Sequence, residues 1–153
     1  SWPAIWMLPT LDRPLKWPLD GEIDVMEHVG FDQGRVHGTI HTDAYNGMIH
    51  TQLSGNITLP DAADTFHEYG VEWTPEKLVW LVDGKVYYQI DNPHLSEKEW
   101  PFDKPFHLIL NIAVGGHWGG EKGIDETIWP QKMEVDYVRV YQLASTESVV
   151  ITE

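Results

Sequence analysis

The chain has no cysteine, which excludes a disulfide framework and any thiolate metal site and leaves the redox compartment open. Basic residues are scarce: ten Lys and Arg against 24 Asp and Glu, a formal net charge of −14. Nucleic acid and anionic membrane both demand clusters of Lys and Arg. No basic run occurs, so neither is expected as a partner. No apolar run reaches the length of a membrane-spanning helix. No basic-then-apolar leader precedes the strand-like segment that follows Ser1, and any secretion signal is expected to lie outside this chain. There is no internal repeat, no coiled-coil pattern and no long helix. The 42% hydrophobic and 22% charged composition is that of a globular protein rather than a disordered one. A length of 153 residues suits one domain with a single core.

What is abundant is tryptophan, with eight residues. A core of this size absorbs three or four of them. The others imply flat exposed faces, for which sugar rings are a common partner. The periodicity is that of strands with turn signals at short spacing. Strands are expected at 2–8, 22–28, 35–42, 51–57, 66–73, 77–82, 106–114 and 133–142. Asp83-Gly84 between two aromatic-rich arms reads as a tight hairpin. In 106–114, Leu108, Leu110, Ile112 and Val114 share one face, and His107, Ile109, Asn111 and Ala113 the other. Gly115–Gly120 is a loop without the Lys-Ser/Thr of a phosphate site. The expected architecture is all-β, an antiparallel β-sandwich.

The segment D-G-E-I-D-V-M-E-H-V, Asp20–Val29, carries the chemistry. Residues two apart share a strand face, so Glu22 and Asp24 point one way and Ile23 and Val25 point to the core. Strict alternation sends Glu27 to the core side. A one-residue bulge near Val25-Met26 returns it to the face of Glu22 and Asp24. Three acids on one face repel, and no Lys or Arg within the segment neutralises them. A retaining glycosidase needs such a set: one carboxylate attacks the anomeric carbon while another protonates the leaving oxygen and later activates water, about 5–5.5 Å away. Repulsion and a proton shared with Asp24 would raise one pKa. A solvated acidic face remains the alternative, as does a calcium site, although calcium favours loop carbonyls over a rigid strand.

Six blocks carry a resemblance: W-P-A-I-W-M-L-P at Trp2–Pro9, W-P-L-D-G-E-I-D-V-M-E at Trp17–Glu27, V-H-G-T-I-H-T at Val36–Thr42, H-E-Y-G-V-E-W-T-P at His67–Pro75, L-N-I-A-V-G-G at Leu110–Gly116 and M-E-V-D-Y-V-R-V-Y at Met133–Tyr141. In this order they resemble the laminarinase-type branch of glycoside hydrolase family sixteen. The E-x-D-x-x-E spacing is similar to laminarinases rather than to the E-x-D-x-E lichenase form. The resemblance implies a concanavalin A-like jelly roll whose concave sheet forms a glucan cleft. It implies Glu22 as nucleophile, Asp24 as helper and Glu27 as acid/base. Trp17 and Trp2 match cleft-wall tryptophans, and Trp118 matches one at the far side of the donor subsites. Family members carry further strands before the W-P-A-x-W block, so the fold is expected to be incomplete at its N-terminus. By the same resemblance Asp136 supplies the carboxylate of a structural calcium site, with main-chain carbonyls as its other ligands. No cofactor is required for the chemistry.

The expected organisation is a catalytic domain over 1–142 and a polar tail over 143–153. The expected activity is endo-hydrolysis of β-1,3- or mixed β-1,3/1,4-glucan with retention, by a secreted, extracellular monomer, or by an assembly in which a second chain supplies the missing strands. The alternatives are a non-catalytic glucan-binding module, or the same chemistry on a galactan such as agar. His41 lies on the strand hairpinned to the acids, where it reaches Glu27 or a sugar hydroxyl, or is simply a satisfied histidine. His37 and His41 lack a third ligand for a metal. Trp2 is read as a substrate contact and Trp6 as packing or a deeper wall. Trp17 and Trp118 sit in loops and suit sugar stacking, while Trp73, Trp80 and Trp129 suit the core or rim. Asn111 bonds a sugar hydroxyl or braces the sheet.

Overall fold

A computed structural model describes residues 1–143; all but the first residue of the expected polar tail lies outside that range. Eight strands form along the chain: β1 Trp2–Pro9, β2 Glu22–Glu27, β3 Arg35–His41, β4 Leu53–Thr58, β5 Tyr69–Trp73, β6 Lys77–Val82, β7 Lys85–Asp91 and β8 Phe106–Ala113. They pair antiparallel in two sheets, a five-stranded one in the order β4-β3-β2-β1-β8 and a three-stranded one in the order β5-β6-β7. Only a single 3-10 turn, Glu126–Ile128, interrupts the all-β pattern among the described residues. The β6–β7 hairpin turns on Asp83 and Gly84, whose φ values of 51° and 73° are those of the primed turns that match strand twist.

The core lies between the sheets. Trp80, Ile23, Ile40 and Leu78 are fully buried, and Met7, Val25, Ile90, Trp100 and Phe102 join them. Glycine decides how closely the sheets approach. Any Cβ on Gly38 of β3 would collide with the Trp80 ring, and any on Gly55 of β4 with the Tyr88 ring. The three-stranded sheet meets the other over β2 to β4, β7 against β4 and β5 against β2. The chain then turns inward at Trp73, whose ring meets Phe106 edge-on at 5.4 Å and whose Nε1 donates to Phe102 O at 3.1 Å.

One expectation is corrected. The last expected strand, 133–142, forms no ladder among the described residues. An alternating pattern makes a strand only where neighbouring backbone is free to pair, and Val135, Val138 and Val140 stand exposed. The apolar face of β8 is likewise not buried. Leu108 and Leu110 are more than a third exposed, because three strands cannot cover the back of five. Elsewhere the expected strands differ mainly at their ends, the largest change being 66–73 shortening to Tyr69–Trp73.

The glycine contact yields a direct test. Gly38→Ala should lower stability by about 1–3 kcal/mol, the usual range for overpacking, read as a lower denaturant midpoint. An unchanged midpoint would mean that the Trp80 ring does not rest on the β3 backbone.

Candidate active site

The site is built on β2, the central strand, flanked by β1 and β3. Against β1, Met7 pairs with Ile23 and Trp6 with Asp24, but Ile5 pairs with Met26 and Ala4 with Glu27. Val25 is therefore the extra residue of a bulge, and the β3 register shifts over the same interval. Val25 and Met26 both turn to the core side, and Glu22, Asp24 and Glu27 share the opposite face. They line one cleft with Trp2, Ala4 and Trp6 of β1 and Asn111 and Ala113 of β8.

Indole N–H groups hold the acids. Trp17 Nε1 donates to Glu22 Oε2 at 2.6 Å, and Trp2 Nε1 to Glu27 Oε1 at 3.1 Å. Trp80 Nε1 reaches up from the core to the Asp24 backbone carbonyl at 2.8 Å and so pins the bulge. Trp6 Nε1 donates to Asn111 Oδ1 at 2.7 Å, tying β1 to β8 across the cleft floor. Trp118 meets the Trp2 ring edge-on at 5.5 Å and the His37 ring at 4.9 Å, closing one end. At the other end Trp17 tilts against His41 at 5.7 Å.

Burial sets the protonation of the acids. It pushes Glu27 up to about 7, while hydrogen bonds from Trp2 and Thr39 oppose it. It pushes Glu22 up to about 8; the Asp24 charge adds to this, and His41 and the Trp17 indole oppose it. Asp24 is also raised well above the usual carboxylate range by burial and the Glu27 charge. Asp24 stands beside Glu22 on this face, and of the two it is the better home for a proton, since its side chain is almost wholly buried and Oδ2 has no hydrogen-bond partner, whereas Glu22 accepts the Trp17 indole. One face thus holds carboxylates that keep protons near neutral pH, as the acid of glycoside cleavage must.

His41 corrects an expectation. It stands opposite Glu22 rather than Glu27, with Nε2 3.4 Å from Asp24 Oδ2 and 3.9 Å from Glu22 Oε1; the residue opposite Glu27 is His37. The hairpin register is the reason: it sets position 22 against 41, and the bulge only moves Glu27 by one residue, so that it faces His37 instead of Val36. Glu22, Asp24 and His41 bring potential ligand atoms within 4.8 Å of one another. The arrangement nevertheless suits hydrogen bonding rather than a metal. The Gly47 backbone N–H donates to His41 Nδ1 at 3.1 Å, which leaves the ring proton on Nε2, the atom facing the carboxylates.

Trp2, Trp17, Trp118 and Asn111 all border the cleft, and Trp6, read first as packing or a deeper wall, lines it too. Sequence reasoning foresaw stacking faces and missed that Trp2 and Trp17 act as donors to the acids. Trp80 is core, as expected. Asp136 stands exposed in the unpaired C-terminal segment and joins no cluster of three His, Asp or Glu side chains among the described residues. Calcium takes six to eight oxygens, and the described side chains do not supply that cage around Asp136.

Comparison with known proteins agrees with this geometry. The model of glycosyl hydrolases family 16 matches residues 1–139. A β-glucanase of Rhodothermus marinus is 54% identical over 151 residues, covering 93% of this chain and 52% of the relative. The glucan endo-1,3-beta-glucosidase A1 of Niallia circulans is 39% identical over 152 residues, covering 92% of this chain and 22% of the relative. The X-ray structure of the Rhodothermus marinus laminarinase superposes with a TM-score of 0.79 at 51% identity, over 84% of this chain and 54% of that one. The chain thus spans about half the length of its Rhodothermus relatives or less of longer ones.

The raised carboxylates make stability depend on pH with a definite sign. A group whose folded pKa exceeds its unfolded value binds more protons when folded, so its stabilisation is complete below the unfolded value, near 4.5, and is lost as pH rises through 7 to 8. Unfolding free energy should fall by several kcal/mol between pH 5 and pH 8. Glu27→Gln should flatten that slope and leave the protein more stable than the parent at pH 8. Chemical denaturation at both pH values measures it, and parallel slopes for parent and variant would contradict the assignment.

Proposed function

This chain belongs to glycosyl hydrolase family 16, and from that premise we propose that it hydrolyses the internal bonds of a β-1,3-glucan or mixed β-1,3/1,4-glucan with retention of configuration. The observation that carries the reading is the bulged strand, which brings three buried carboxylates to one face beneath indole walls. Glu22, held by Trp17, attacks the anomeric carbon. Glu27, with a pKa raised to about 7, gives its proton to the departing glycosidic oxygen. The covalent bond forms between a Glu22 oxygen and the sugar, and the leaving-group side departs as an alcohol. Glu27, now a carboxylate, takes a proton from water as that water attacks the same carbon, and Glu22 is released. Asp24 keeps a proton against Glu22 while the nucleophile's charge comes and goes.

The cleft chemistry supports a neutral substrate. Among the described residues neither Lys nor Arg lines it, whereas a sulfated galactan would call for one. Trp2, Trp17 and Trp118 offer apolar ring faces to sugar C–H groups. On this reading residues 1–142 form the catalytic domain, and the protein works in the extracellular space where such glucans occur. Asp136 is retained as a calcium ligand only together with oxygens from outside the described residues.

The test is an incubation of the chain with laminarin, mixed-linkage glucan and agarose, following reducing ends and the anomer first released. Laminarin or mixed-linkage glucan should give β-configured ends, and agarose none. Glu22→Gln and Glu27→Gln should each lower kcat by roughly 10²–10⁴-fold. Because Glu27 must carry a proton, kcat/KM should decline as pH rises past about 7. A folded chain that releases no product from any of the three polymers would sink the enzymatic reading.

A further inference from the structure

The loop between β3 and β4 is more tightly built than a solvent-exposed connection needs to be. Asn46 is its hub, and the residue is nearly fully buried at 4% exposure. Its Nδ2 donates to Thr42 O at 3.1 Å and to Asp43 O at 3.2 Å, and its Oδ1 accepts from Met48 N at 3.1 Å. Its backbone N donates to Thr51 Oγ1 and its carbonyl accepts from Thr51 N. Every polar atom of the residue therefore closes a bond within the 42–51 loop. Thr42, fully buried at the loop's start, donates its N–H to Tyr45 O and accepts the Tyr45 N–H on Oγ1. The Ala44 N–H ties the loop to Lys98 O on the neighbouring connection.

The product of this scaffolding is one backbone N–H, that of Gly47, aimed at His41 Nδ1 at 3.1 Å. A backbone N–H can only donate, so the ring nitrogen facing it must be unprotonated. The neutral ring then carries its proton on Nε2, 3.4 Å from Asp24 Oδ2, a buried oxygen that has no hydrogen-bond partner. With the opposite tautomer, an N–H on Nδ1 would face the Gly47 N–H, and that contact would be repulsive.

We infer that Asn46 is a positioning residue, which fixes the Nε2–H tautomer of His41 through the Gly47 amide and so turns that N–H toward Asp24 and Glu22. The groups facing it are few. Glu27 lies farther along β2 and His37 along β3, while β1 and β8 bring only Trp2, Ala4, Trp6, Asn111 and Ala113, none of which ionises. The inference deepens the glucanase reading and rests on it for its catalytic meaning, but its test does not depend on activity.

That test is a long-range ¹⁵N–¹H correlation spectrum of the whole chain, which distinguishes a protonated ring nitrogen from an unprotonated one in each histidine. A His41→Gln spectrum assigns the signals. In the parent, His41 should show a protonated Nε2 and an unprotonated Nδ1 at pH 7. Asn46→Ala removes all the side-chain bonds at the hub, and Asn46→Asp removes only the two Nδ2 donations at unchanged size. Either variant, once folded, should shift both His41 nitrogens toward the averaged values of a ring exchanging between tautomers. A protonated Nδ1 in the parent would overturn the inference, whether or not the chain cleaves glucan. So would a folded Asn46 variant whose His41 nitrogens keep the parent's shifts. Loss of glucanase activity with the expected spectra would leave this assignment standing and count against the proposed reaction instead.

Discussion

One extra residue in a central strand, Val25, is the constraint on which the rest depends. Without it, strict alternation would put Met26 in the cleft and the Glu27 carboxylate among the core side chains, a placement costing several kcal/mol unless the acid stayed neutral. A bulge frees backbone groups from the ladder, and those groups need partners. Here the Asp24 carbonyl finds the Trp80 indole N–H at 2.8 Å. The same indole is fully buried between the sheets and rests where Gly38 has no Cβ. Packing of the two sheets and alignment of the acids are therefore a single arrangement seen from its two sides.

The donors around the cleft explain why its acids are protonatable. Asp20 lies on the same segment and is also buried, but Arg13 donates to it and holds it down at about 2. Glu27 and Glu22, seven and two residues away in sequence, are raised to about 7 and about 8. Two things separate the groups: Asp20 lies nearer the surface, so desolvation weighs less on it than on Glu22 and Glu27, and its partner differs. A guanidinium stabilises the anion by charge as well as by hydrogen bonding, whereas an indole N–H fixes the rotamer and leaves most of the desolvation cost in place. Tryptophan thus positions Glu22 and Glu27 without forcing them to ionise, which a lysine or arginine in the same place would do.

Much of this was legible from residue order. Strands follow period two, Asp83-Gly84 names its hairpin, and the bulge could be deduced because three acids and one methionine fit no regular alternation. The unread parts have a common cause. Pairing is a property of two segments, so the 133–142 pattern could suggest a strand but not supply its neighbour. Leu108 and Leu110 look like core residues because alternation reports which face is apolar, not whether anything covers it. The pattern offers His41 to Glu27 or a sugar hydroxyl, whereas the hairpin sets it against Glu22, because the register of two strands is fixed by the turn between them and is invisible until both are paired. The indole donors were missed for a different reason: tryptophan advertises its ring, and its single N–H acts only in a specific geometry.

The functional face and the stabilising face also differ in how far along the chain they reach. Trp2, Trp17, the three acids and His41 all fall within the first 41 residues, on three successive strands of one meander and the loop between the first two. Contacts of this kind form at small loop-closure cost. The cleft floor needs one distant element, β8, secured by the Trp6–Asn111 bond across 105 residues. The core between the sheets depends on β6 and β7, which follow the acids by more than fifty residues and supply Trp80, Leu78 and Ile90. Chemical identity is thus concentrated in a short run whose motif can be read directly, while its precise alignment is imposed by a tryptophan that enters later from the other sheet. That separation accounts for a site more recognisable in the sequence than the packing that keeps it in place.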